Sequence, residues 1–138
     1  MIQRIQSVWL LMASAFNAIT FRFPFYNGDW SKDAVVGNVP LDSSTTIWLT
    51  IVSILAGALA FINIFMYANR ALQLKLCYLG ILISVLLLVL FFLEMQNFSN
   101  SVIALWCIFH FGILTFYILA TKGVTKDQKL IKSLDRLR

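Results

Sequence analysis

His110, Cys77, Cys107 and six acidic side chains are the groups in this sequence that could do acid–base, redox or metal chemistry. His110 falls near the middle of an apolar run, where an ionisable residue is a candidate proton relay or cofactor ligand. With no second histidine to complete a haem or metal site, a neutral imidazole hydrogen-bonded to a neighbouring helix is the favoured reading. Cys77 and Cys107 sit near opposite ends of two different runs, roughly 15–20 Å apart in depth, too far for a disulfide, and read as packing residues. Glu94 and Arg22 lie at one common membrane boundary, so a structural ion pair between them is expected. Paired histidines, a Cys-x-x-Cys, clustered carboxylates and a nucleophile with its base are all missing. No enzyme, cofactor or metal site is therefore expected.

These residues are set in a strongly apolar chain. Hydrophobic residues make up 60% of it and charged residues 12%, with a mean hydropathy of +0.84. Soluble domains carry about 25% charged residues, so this chain lacks the polar surface to stay in water. Apolar runs at 5–25, 47–68, 74–95 and 102–120 are each long enough to cross a ~30 Å hydrocarbon core as a helix. The first contains Ala13-Ser14-Ala15, which resembles a signal cleavage site. The run continues well past it behind a weakly basic start, so an uncleaved span is expected.

Charge sets the orientation. Arg4, Arg70, Lys75, Lys122, Lys126, Lys129, Lys132, Arg136 and Arg138 flank one side, whereas Lys32 and Arg22 face Asp29, Asp33, Asp42 and Glu94 on the other. Positive-inside then puts both termini in the cytoplasm. The net charge of +5 follows from this asymmetry and does not form a nucleic-acid face. The expected fold is an all-α antiparallel bundle of four transmembrane helices spanning 1–121, followed by a basic cytoplasmic tail at 122–138. Small or polar residues form interhelical stripes: Thr46, Thr50, Ser53, Gly57 and Ala60 on the second span, Cys77, Gly80 and Ser84 on the third, and Ser14 with Asn17 on the first.

The connections differ in character. Those between spans two and three and around Asn97 to Ser101 are short. The outer loop at 26–46 carries Val35-Val36-Gly37-Asn38-Val39, whose Gly-Asn step signals a type II′ hairpin, with an irregular loop as the alternative. Gly123 is placed to end span four as a C′ glycine. Thr125 and Gln128 have the spacing of a capping box, so a separate helix should begin there. Leu130, Ile131, Leu134 and Leu137 share one face of it, opposite Lys129, Lys132 and Arg136.

Met1-Ile2-Gln3-Arg4-Ile5-Gln6-Ser7, the Arg70 to Cys77 turn and the closing segment Lys126 to Arg138 resemble a domain-of-unknown-function family of four-span inner-membrane proteins of Bacteroidota. The resemblance implies a multi-pass protein of a bacterial inner membrane and carries no assigned catalytic residues. Two functional readings remain. One is a non-catalytic accessory subunit that docks on other inner-membrane proteins through its tail. The other is a small ion-coupled transporter or channel acting as a homo-oligomer, with Glu94 or His110 as its ion site.

Overall fold

The computed structural model describes residues 3–30 and 38–136. Four helices dominate: α1 (Gln3–Ile19), α2 (Ile47–Phe65), α3 (Arg70–Met95) and α4 (Ile108–Arg136). The buried residues of each recur at alternating steps of three and four. They are Gln6, Leu10, Ala13 and Asn17 on α1; Leu49, Ser53, Ala56, Ala60 and Asn63 on α2; Gln73, Cys77, Gly80, Ser84, Leu87 and Phe91 on α3, with Leu88 buried beside the seam. A 3.5-residue repeat keeps one seam turned inward, and the helices pack as a ring in which α1 meets α2 and α4, and α3 meets the same two. The outward faces are also apolar, with Ile51, Ile54, Phe61, Leu82, Val89 and Phe92 exposed. A helix apolar all round belongs in lipid. Ile47–Ala68, Arg70–Met95 and Leu105–Leu134 are each long and apolar enough to cross a membrane.

The first helix is shorter than the sequence implies. α1 stops at Ile19 after 17 residues, about 25 Å of rise. Thr20 turns its hydroxyl back onto the Asn17 carbonyl at 2.7 Å and receives the Ser43 hydroxyl at 2.9 Å. Pro24 disfavours helical geometry at the preceding residue. Residues 20–25 instead lead into a small three-stranded sheet beside the helices. Strands β1 (Tyr26–Trp30), β2 (Asn38–Leu41) and β3 (Phe98–Ile103) pair antiparallel in the order β2-β1-β3. β3 takes the place of the expected turn and of the first residues expected in span four. β1 and β2 do form a hairpin, in which Val39 lies opposite Gly28 and Asn38 opposite Asp29. The expected II′ turn falls on Gly37, which lies outside the described residues. Asn69 caps α3 by accepting from the Leu72 amide at 3.3 Å, which reduces the α2–α3 connection to a single 3-10 turn, Met66–Ala68.

The middle of the molecule is held by Tyr117. Its fully buried ring lies where a Cβ on Gly80 would be, and its hydroxyl donates to the Ala56 carbonyl at 2.7 Å. One side chain on α4 therefore ties α3 to α2, and only glycine at position 80 leaves room for it. Gly80→Val should lower stability by about 1–3 kcal/mol through overpacking, and Tyr117→Phe by about 1 kcal/mol. The double substitution Gly80→Ala with Tyr117→Leu should cost less than the sum of its parts. Unfolding midpoints in detergent read all of these, and an unchanged midpoint for Gly80→Val would contradict the ring contact.

Candidate functional site

On α4 the inward seam reads His110, Ile113, Tyr117, Ala120, Val124 and Asp127, each no more than 5% exposed. The same register next reaches Ile131 and Leu134, which are 42% and 65% exposed, with Leu130 beside them at 45%. The seam thus continues past the place where the other helices stop. Leu137, expected on this face, lies outside the described residues.

Asp127 marks that boundary. One of its carboxylate oxygens accepts from Gln6 Nε2 on α1 and from Arg70 Nη1 on α3, the latter at 2.8 Å. Burying a carboxylate is costly unless it is paired and hydrogen-bonded, and here it is both. A turn toward the sheet, Asn63 Nδ2 contacts Cys77 Sγ at 3.1 Å and Gln73 Nε2 donates to the Asn63 carbonyl at 3.3 Å. Gln6, Arg70 and Asp127 belong to the three segments that carry the family resemblance. They converge at one point in space.

Gly123 does not end the helix. α4 runs unbroken through it, and a Cβ there would come within 2.8 Å of Gln6 Cγ. The glycine admits α1 rather than capping α4. Nor does Thr125 cap a new helix, because its hydroxyl donates back to the Thr121 carbonyl at 2.8 Å, as Thr121 does to Tyr117. The tail is a direct extension of the fourth helix, not a separate element.

The remaining expected residues fall as follows. Arg22 and Glu94 form no ion pair among the described residues. Arg22 is exposed beyond the end of α1, and Glu94 accepts from Asn97 Nδ2 at 3.0 Å. α1 and α3 are diagonal in the ring. His110 lacks the hydrogen bond expected of it. Neither ring nitrogen has a partner, and the imidazole meets Phe91 and Phe25 edge-on at 4.4 and 4.9 Å between centroids. Asn17 Nδ2 and Ser53 Oγ are likewise buried without a partner. Asn17 Oδ1 lies 2.8 Å from where a Cβ on Gly57 would be, while Ser84 donates to the Ile81 carbonyl at 2.9 Å. Cys77 and Cys107 are free thiols in separate core clusters.

Three membrane-length helices joined through buried polar contacts define a helical membrane protein. The chain belongs to the family described as Domain of unknown function (DUF4293), whose model matches residues 2–137. No curated protein and no solved structure matches it.

The Asp127 contacts make a specific prediction. Removing one partner of a buried pair strands the other charge, so Arg70→Ala should destabilise the protein by on the order of 3 kcal/mol. The double substitution Arg70→Met with Asp127→Leu removes both charges and should recover most of that loss. Chemical unfolding in detergent measures it, and a double variant weaker than Arg70→Ala would refute the pairing.

Proposed function

We propose that this protein is a non-catalytic accessory subunit of a larger assembly in a bacterial inner membrane. In this reading the four helices form an antiparallel bundle with both ends in the cytoplasm, consistent with the basic flanks at Arg70 and along α4. The observation that carries the proposal is the uncovered seam of α4. Arg136 lies nine residues beyond Asp127, so the helix runs about 14 Å past that contact with α1 and α3. As the continuation of a formed helix this segment carries no nucleation cost, so what asks for a partner is its apolar face. Leu130, Ile131 and Leu134 are about half-exposed, so covering the remaining surface would contribute about 1 kcal/mol each.

The continuity of α4 bears on what covers that face. Lying flat in the headgroup layer would require a break near Gly123, where α4 is continuous. An unbroken heptad seam suits a partner helix packed alongside. The transporter reading draws support from one feature, the unpartnered nitrogens of His110. Against it, Glu94 is held by Asn97 at a helix end rather than at mid-depth.

A photo-crosslinking amino acid at position 131 or 134 should join the protein in cells to one distinct polypeptide. The same group at position 129, on the opposite face, should not. Crosslinks only to lipid, or only to a second copy of this chain, would reject the accessory-subunit reading.

A further inference from the structure

Away from the seam, α4 and α3 enclose a cleft of about 340 Å³ lined by Tyr78, Thr121, Lys122, Thr125, Lys126 and Lys129. Its volume falls in the range of small-ligand sites, roughly 300–1,000 Å³. Lys122, Lys126 and Lys129 are spaced to form a single stripe on the far side of α4 from Asp127. No carboxylate lines the cleft among the described residues. Asp127 is turned inward onto Gln6 and Arg70. The two threonine hydroxyls are committed to carbonyls of their own helix, so the ammonium groups supply the charge. Tyr78 is exposed, and its hydroxyl has no partner among the described residues.

Depth identifies the kind of ligand. Tyr78 stands eight residues into α3 from Arg70, about 12 Å into the apolar zone, whereas Lys129 lies past Asp127. A ligand filling this cleft is apolar along Tyr78 and anionic at Lys126 and Lys129. We propose that the cleft binds a phosphate-bearing anion, and specifically the headgroup of an anionic phospholipid whose acyl chains run down beside Tyr78. Basic pockets between helices at a membrane boundary recognise such headgroups. The inference rests on the membrane character of the helices and is independent of what covers the seam, which lies on the other side of α4.

Native mass spectrometry of the full chain in detergent tests it, with phosphatidylglycerol and phosphatidylcholine of equal chain length as probes. Phosphatidylglycerol should stay bound in preference to phosphatidylcholine. Lys126→Gln and Lys129→Gln should each weaken its retention about fivefold, the equivalent of ~1 kcal/mol per lysine. Replacement of both by Arg should preserve it, and Lys132→Gln, outside the cleft, should leave it unchanged. Equal retention of the two lipids overturns the proposal, as does an equal loss with Lys132→Gln, which would mean diffuse charge attraction. Displacement by glycerol phosphate at the lipid's own concentration would assign the site to a soluble phosphate and overturn the lipid assignment.

Discussion

A buried carboxylate on a membrane helix must be matched by donors, and Asp127 obtains them from Gln6 on one neighbour and Arg70 on another. That requirement sets the axial positions of α1, α3 and α4 together. A slip of one helical turn would move Arg70 by ~5.4 Å and leave the charge stranded. Buried ion pairs are weak sources of net stability, and their best-attested use is to specify register. Here the register places Gly80 under the Tyr117 ring and Gly123 under Gln6. Close approach follows at both points.

With the register set, the two ends of the molecule differ. Toward the sheet, Phe25, Leu41, Leu49, Leu87, Leu88 and Phe91 form an apolar cluster that the β-strands cover. His110 sits at its edge among aromatic rings. Toward Asp127 no strand lies among the described residues, and α4 runs on with Leu130, Ile131 and Leu134 half-exposed. The two faces of that projection have different chemistry. One continues the core, and the other carries the lysine stripe that closes on Tyr78. A helix so divided can meet a protein on one side and lipid headgroups on the other without competition.

The long apolar helices were legible because hydropathy alone marks them. Their ends were less so. Phe98, Val102 and Ile103 are as apolar as any helix residue, so a run that includes them looks continuous, and no periodicity separates a short buried strand from a helix. Pro24 was the available signal that the first run breaks before Phe25. Gly123 misled because a glycine after an apolar run fits a C′ cap as well as a close helix contact. Asp127 stands in a basic tail, where composition alone marks an acid as solvated. Its position four residues before Ile131 and three after Val124 puts it on the seam, and that spacing was in the sequence to be seen. The Arg22–Glu94 pairing failed because depth was legible and the order of helices around the ring was not.

The central claim is that the α4 seam beyond Asp127 is one continuous helix covered by another protein. Amide hydrogen exchange over residues 121–136, compared between native membranes and the purified chain in nanodiscs, tests it most directly. Protection from Thr121 to Asp127 should be alike in both, whereas protection from Leu130 to Arg136 should be high in native membranes and fall once the chain is isolated. Equal protection of the last residues in both preparations would contradict the claim, and so would a loss of protection beginning at Gly123.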